Sequence, residues 1–146
     1  MNDLQNQIWT ERYRPTDWDS LIFENKALIL QHLKNPSTIP SFIFYSNKPG
    51  TGKTTVAKLI ISTLGCDSIT INASDERGID SIRERVTEFA RSLSSSSSKR
   101  CIFLDESEAL TKQAQDCLKS TMEEFSSNCF FIMTANDVSK IIEPIQ

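Results

Sequence analysis

The stretch "SNKPGTGKTT", Ser46–Thr55, constrains the fold of this chain more than any other segment. An apolar run typical of a buried strand precedes it, and a helical segment follows it. This context is the one required by the phosphate-binding signature GxxxxGKS/T, which argues against a chance glycine loop. Asn47 stands where the signature has its first glycine. Asparagine tolerates a left-handed backbone better than other residues with side chains, so we expect the turn to be kept.

The loop composition predicts a site for a nucleoside triphosphate and magnesium. Its glycines can take backbone angles that let successive N–H groups surround a phosphate, and the helix adds the positive end of its dipole. Lys53 supplies a cation for the outer phosphates, and the Thr54 hydroxyl is suited to ligate magnesium. The predicted nucleotide-binding residues of the loop are therefore Gly50, Thr51, Gly52, Lys53, Thr54 and Thr55.

Acidic side chains follow a second buried strand, "CIFLDES". The carboxyl ends of parallel strands meet at one edge of a sheet, the edge that also carries the glycine loop. We expect Asp105 to hold magnesium and Glu106 to polarise the attacking water. The last predicted strand ends in "MTAN", which puts Asn136 near the same edge. Its amide could there contact the γ-phosphate or the water. A simple turn residue is the alternative for Asn136.

Periodicity predicts alternating strands and helices, the pattern of an α/β fold with a parallel sheet and right-handed crossovers. The chain has 146 residues, of which 38% are hydrophobic, as expected for one domain with one core. The predicted strands are Ser41–Ser46, Ser68–Asn72, Arg100–Asp105 and Asn128–Thr134. The predicted helices are Lys26–Lys34, Lys53–Leu64, Ile79–Arg91 and Lys112–Phe125, and a short helix follows Asp137.

Charge and composition narrow the remaining possibilities. A net charge of -3 gives no overall attraction to nucleic acid, so such contacts need local basic groups. The N-terminus lacks an apolar signal core, and no window approaches the roughly 20 apolar residues of a membrane span. We predict a cytoplasmic protein that is neither secreted nor membrane-bound. The four cysteines are widely separated and form no CxxC pair, so we expect buried free thiols.

Several motifs together resemble the ATPase subunits of sliding-clamp loaders in the AAA+ superfamily. They are, in order, "ERYRP", "PGTGKTT", "INASDERGID", "FLDESEAL", "STMEEFSSN", "TAN" and "IIEPIQ". Replication factor C small subunits and the large subunit of T-even phage clamp loaders are the most similar types. The missing first glycine, with "SSNC" and "TAN", favours a phage-type or viral version, which would act in the host cytoplasm or nucleus.

The resemblance implies a three-layer P-loop NTPase domain of the AAA+ type, with ATP and Mg²⁺ as cofactors and strand order 5-1-4-3-2. Residues 1–146 would be this domain, truncated before the fifth strand. In the resembling subunits "IIEPIQ" continues with Ser-Arg-Cys, whose arginine reaches the ATP site of a neighbouring subunit. Partners would be other clamp-loader subunits in a pentamer, a sliding clamp and primer-template DNA.

The resemblance also implies roles for individual residues. An N-terminal arm, residues 1–25, would border the adenine and ribose through Arg12, Tyr13 and Ile22; an arm that merely packs its Tyr and Pro is the alternative. Asn136 would be the family's sensor asparagine. The side chains expected to contact DNA phosphates are Arg77, Arg83 and Lys112. Because acidic residues are interspersed among them, a solvated charged face is the alternative.

The function that follows is ATP-driven opening and loading of a sliding clamp onto primer-template DNA. Two alternatives remain at this stage. One is another AAA+ DNA motor of the branch-migration helicase type. The other is an AAA+ scaffold subunit that binds nucleotide without hydrolysing it.

Overall fold

The computed structural model describes residues 13–76, 78–92 and 98–146. Within them lies a four-stranded parallel sheet, with the strands in the order β1-β4-β3-β2. The strands are β1 (Phe42–Tyr45), β2 (Ser68–Asn72), β3 (Arg100–Asp105) and β4 (Cys129–Ala135). This order agrees with the arrangement implied for strands one to four.

The helices that connect the strands are α1 (Lys26–Leu33), α2 (Lys53–Leu64), α3 (Ile79–Arg91) and α4 (Lys112–Glu124). Short 3-10 turns complete the described structure at Pro36–Thr38, Ser107–Ala109, Val138–Lys140 and Glu143–Ile145. The predicted bounds of α2, α3, β2 and β3 are confirmed. Those of α1 and α4 differ by one residue at the C-terminal end, and those of β1 and β4 by one residue at both ends. The short helix expected after Asp137 is the 3-10 turn Val138–Lys140. Within the described ranges, no helix is both long and apolar enough to cross a membrane.

The two central strands, β3 and β4, are buried almost throughout because helices cover both faces of the sheet. Alternate residues of β3 point to opposite sides. Cys101 and Phe103 pack with α1 and α2, whereas Ile102 and Leu104 pack with α3 and α4. The result is the predicted α/β three-layer architecture, with one apolar cluster on each side of the sheet.

Three of the four cysteines, Cys66, Cys101 and Cys129, are buried, as predicted, and Cys117 is half-buried. Desolvation raises the pKa of the thiols of Cys66, Cys101 and Cys129, because burial disfavours the thiolate. These thiols therefore act as small apolar side chains rather than as nucleophiles.

The register of the sheet brings the carboxyl ends of the strands side by side. Tyr45 of β1 pairs with Ala135 of β4, and Asn72 of β2 pairs with Asp105 of β3. The carboxyl ends of all four strands thus meet at one edge. The loops that leave this edge, including the glycine loop, surround a common cleft.

Candidate nucleotide site

A cleft of about 680 Å³ lies at the carboxyl edge of the sheet. It is bounded by three parts of the chain: the segment before α1, the glycine loop with the start of α2, and the ends of β3 and β4. The lining residues are Tyr13, Arg14, Pro15, Ser20, Leu21, Ile22, Pro49, Gly50, Thr51, Gly52, Lys53, Thr54, Thr55, Asp105, Glu106, Thr134, Ala135 and Asn136.

The glycine loop turns at two residues with left-handed backbone angles. Gly50 has φ +72° and Gly52 has φ +86°, values that strain any residue with a Cβ. Among the described non-glycine residues, only Glu106 has a positive φ, so Asn47 does not use the left-handed backbone that asparagine tolerates. The turn is nevertheless kept, because the loop makes its left-handed turns at Gly50 and Gly52. The first position of the signature therefore does not need glycine here.

Lys53, the first residue of α2, folds its side chain back over the loop. Its Nζ lies 3.5 Å from the Ser46 carbonyl oxygen, 3.3 Å from the Lys48 carbonyl oxygen and 3.3 Å from Thr51 Oγ1. These acceptors are neutral, and no carboxylate forms an ion pair with Lys53 in the part of the chain that the structure describes. The ammonium group therefore keeps its charge available to an anion in the cleft.

Thr54, the second residue of α2, is in direct contact with Asp105, the last residue of β3. Thr54 Oγ1 donates a hydrogen bond of 3.3 Å to Asp105 Oδ1. A hydroxyl and a carboxylate oxygen are hard ligands of the kind that Mg²⁺ takes, together with waters and phosphate oxygens. In residues 13–76, 78–92 and 98–146, no group of three or more His, Cys, Asp or Glu could hold a metal alone. The residues fit a magnesium ion that arrives with a nucleotide, because such an ion needs only one or two protein ligands.

Glu106 directly follows β3 and lies exposed in the cleft with a left-handed backbone (φ +55°, ψ +46°). This conformation is uncommon for a residue with a long side chain. The N–H of Glu106 donates a hydrogen bond of 3.1 Å to Thr134 Oγ1 of β4. The same hydroxyl contacts Asp105 Oδ1. Sequence analysis missed Thr134, although a threonine inside the apolar run "CFFIMTA" is a signal that a polar partner is nearby.

Asn136 lies one residue beyond β4, at the floor of the cleft. Both its backbone N–H and its side-chain Nδ2 donate to Glu108 Oε1, over 3.1 and 3.0 Å. Glu108 therefore fixes the orientation of the Asn136 amide. Apart from the acidic residues of "DESE", no local pattern predicts this contact, because it depends on how the turn after β3 packs against β4.

The N-terminal segment supplies the remaining wall of the cleft. Tyr13 is 66% exposed and Ile22 fully exposed, so both apolar surfaces are available to a ligand. Arg14, which sequence analysis did not single out, donates from Nη1 to Thr55 Oγ1 over 3.3 Å. Arg12, the other residue expected here, lies outside the described residues.

Two of the residues expected at DNA, Arg83 and Lys112, belong to α3 and α4, which cover the face of the sheet opposite α1 and α2. Arg83 is exposed on α3 and borders a groove between α3 and α4. Lys112 is exposed at the first position of α4. Arg85, by contrast, is paired with Glu76 and so contributes less free charge. Arg77 lies outside the described residues.

Comparison with known proteins indicates the family to which the chain belongs. The family model described as "ATPase family associated with various cellular activities (AAA)" matches residues 43–146. A replication factor C small subunit of Archaeoglobus fulgidus is 43% identical over 96% of this chain and 46% of its own length. That of Haloarcula marismortui is 42% identical over 97% of this chain and 45% of its own length. The chain thus spans slightly less than half the length of these relatives.

Solved structures with the same fold include RuvB of Thermotoga maritima. One variant of RuvB aligns with TM-score 0.70 and 20% identity over 90% of this chain and 45% of its own. The RuvB Holliday junction branch migration motor aligns with TM-score 0.65 and 19% identity, over 90% of this chain and 45% of its own. At this identity the likeness shows the fold alone. The family match, which covers the glycine loop, the acidic pair and Asn136, establishes that the chain belongs to the AAA family of ATPases.

Proposed function

We propose that this chain is the ATP-hydrolysing domain of a clamp-loader subunit. The observation that carries the proposal is the convergence of four groups in one cleft: the glycine loop, the contact between Thr54 and Asp105, the exposed Glu106, and Asn136. Such a set is suited to binding a nucleoside triphosphate and cleaving its terminal phosphate.

The loop and Lys53 bind the phosphates. Positive φ angles at Gly50 and Gly52 turn the loop around an anion, and α2 directs the positive end of its dipole toward the same point. Thr51 and Thr55 complete the lining of the loop. Lys53 exchanges its neutral oxygen partners for phosphate oxygens, which form stronger, charge-assisted hydrogen bonds.

Thr54 and Asp105 would hold a magnesium ion, which neutralises charge on the phosphates when bound. We expect Glu106 to accept a proton from the attacking water, because this exposed residue lines the cleft next to Asp105. Asn136, held by Glu108, would contact the γ-phosphate or that water with the part of its amide that Glu108 does not occupy.

The N-terminal arm, residues 1–25, would border the adenine and ribose. The exposed surfaces of Tyr13 and Ile22 support this, because an apolar or aromatic surface at the cleft offers a face on which a purine can pack. Arg12 would act beside them. Residues 1–146 would then belong to one AAA+ domain, and the arm would border its nucleotide site.

The names of the relatives support the clamp-loader role. We infer that the protein assembles with other clamp-loader subunits as a pentamer, that a neighbouring subunit supplies an arginine to the ATP site, and that the assembly opens a sliding clamp. Arg77, Arg83 and Lys112 would contact the phosphates of primer-template DNA without reading base sequence. The phage-type origin suggested by Asn47 stays a prediction.

No observation favours either alternative function, the branch-migration motor or the scaffold subunit that does not hydrolyse ATP. The likeness to RuvB concerns the fold, so it gives no reason to prefer branch migration. A scaffold that does not hydrolyse ATP would have no need of the complete set of Lys53, Thr54, Asp105 and Glu106.

The test is the ATPase rate of the full-length protein assembled with its partner subunits. We expect primer-template DNA and the clamp together to stimulate turnover, and blunt duplex DNA to stimulate it less. A rate indifferent to both clamp and primer-template junction, together with unwinding of branched DNA, would support the branch-migration alternative. An assembly that binds ATP but never hydrolyses it would support the scaffold.

A further inference from the structure

Thr134 is a buried polar residue in the otherwise apolar strand β4. It lies on β4, which is buried throughout, and is itself 2% exposed. It pairs with Phe44 of β1 in the sheet. A buried hydroxyl without a partner is costly, so the partners of this one are informative.

The Thr134 hydroxyl bonds both acidic residues of the cleft. Its Oγ1 contacts Asp105 Oδ1 and accepts the N–H of Glu106 at 3.1 Å. A hydroxyl has one proton and two lone pairs, so it can donate to the carboxylate and accept from the amide at once. One side chain therefore connects β4 to two successive residues at the end of β3.

Each of these bonds fixes a feature that the chemistry needs. Asp105 Oδ1 receives a second hydroxyl, that of Thr54, so the carboxylate is held from two sides. Glu106 has the left-handed backbone, which glycine adopts readily and glutamate does not. The bond from its N–H to Thr134 is made at the residue where the chain takes this turn. That turn decides where the Glu106 side chain enters the cleft.

We propose that Thr134 is a positioning residue for both carboxylates: it orients Asp105 toward the metal and holds the backbone turn that presents Glu106 to the water. The metal and water roles rest on the proposed function, whereas the backbone turn does not. Side chains that orient metal ligands typically change metal affinity about 10- to 100-fold when removed.

The first experiment measures amide hydrogen exchange of Glu106 by NMR in the metal-free, nucleotide-free protein. Thr134→Val removes the hydroxyl with little change in volume, Thr134→Ala is a second hydroxyl-free variant in case valine disturbs folding, and Thr134→Ser keeps the hydroxyl. The matched control is Thr121→Val, because Thr121 is also buried and its hydroxyl donates to the Cys117 carbonyl oxygen within its own helix, α4. We expect Glu106 exchange to rise about tenfold in the valine and alanine variants, as for loss of one hydrogen bond, and to stay near wild type in the serine variant.

The second experiment measures the affinity for a fluorescent ATP analogue with Mg²⁺ and with EDTA. We expect the gain in affinity due to Mg²⁺ to fall about tenfold in Thr134→Val, to be restored in Thr134→Ser, and to be unchanged in Thr121→Val. Affinity in EDTA should be the same for all of them, because the loop that binds the phosphates is intact.

Unchanged Glu106 exchange in both hydroxyl-free variants would overturn the proposal, as would an equal rise in Thr121→Val. An equal loss of affinity with and without Mg²⁺ would overturn the orientation of Asp105. If the wild-type protein shows no gain from Mg²⁺, the metal role in the proposed function fails, and the exchange rates still decide whether Thr134 holds the turn.

Discussion

Gln115 of α4 offers a prediction whose size follows from the structure. Its side chain is 2% exposed. Nε2 donates to the carbonyl oxygens of Leu110 and Lys140 over 3.2 and 2.9 Å, and Oε1 accepts from the N–H of Ile142 over 2.8 Å. One amide thus joins the turn after β3 to the segment that follows Asn136.

Gln115→Leu keeps the volume and removes all three hydrogen bonds. Each buried backbone group left without a partner costs about 1 to 3 kcal/mol, although local rearrangement and water recover part of this. We expect the free energy of unfolding to fall by about 2 to 5 kcal/mol. This is a large share of the roughly 5 to 15 kcal/mol typical of a folded domain. For a chain of this size the midpoint should fall by about 3 °C per kcal/mol, that is, by about 6 to 15 °C.

The assay is urea and thermal unfolding followed by circular dichroism. The matched control is Gln113→Leu, because Gln113 lies on the same helix but is exposed, and surface changes are usually within about 0.5 kcal/mol. If Gln115→Leu unfolds at the same urea concentration as Gln113→Leu, the reasoning from buried hydrogen bonds is refuted for this site.

Two further predictions concern ligands. Lys53→Ala should weaken ATP binding about 10- to 100-fold, because the outer phosphates lose a charge-assisted partner. The control Lys58→Ala, on the exposed side of the same helix, should bind ATP as the wild type does. If calorimetry gives equal affinities for the wild type and both variants, Lys53 is not part of the site. Arg83→Ala should weaken DNA binding similarly for all sequences and lower the magnitude of the slope of log affinity against log salt concentration by about 0.9, as for one lost phosphate contact. The control Lys34→Ala removes a charge at the end of α1, on the opposite side of the sheet, and should leave the slope unchanged. An unchanged slope in Arg83→Ala would show that Arg83 is a solvated surface residue that does not contact DNA.

The features predicted correctly from the sequence are those that depend on neighbouring residues. The central strands and the three crossover helices are encoded by short apolar runs and by the 3.6-residue period, which are properties of neighbouring residues. β3 and α2 therefore match their predicted bounds. The loop between β1 and α2 was found from its glycines, and the turn expected there is kept without a left-handed Asn47.

The contacts of Thr134, Glu108 and Arg14 were missed because they depend on the register and packing of distant segments. Thr134 is separated by a whole helix from Asp105, and their contact exists only because β3 and β4 are adjacent. Arg100 is a similar case. It is 5% exposed, stacks over the Phe89 ring at 4.0 Å and donates to the Ser92 carbonyl oxygen. In the sequence it resembles an ordinary charged residue at the start of a strand.

The central claim is that the cleft hydrolyses ATP with Glu106 acting on the attacking water. The most direct test is steady-state turnover of Glu106→Gln in the assembled full-length protein, over a range of ATP concentrations, with Glu123→Gln on the exposed side of α4 as the control. An amide keeps the shape of the side chain but cannot accept the proton, so kcat should fall about 10²- to 10⁴-fold while KM stays close to the wild-type value. A kcat within twofold of the wild type, or a rise in KM with kcat unchanged, would contradict the account.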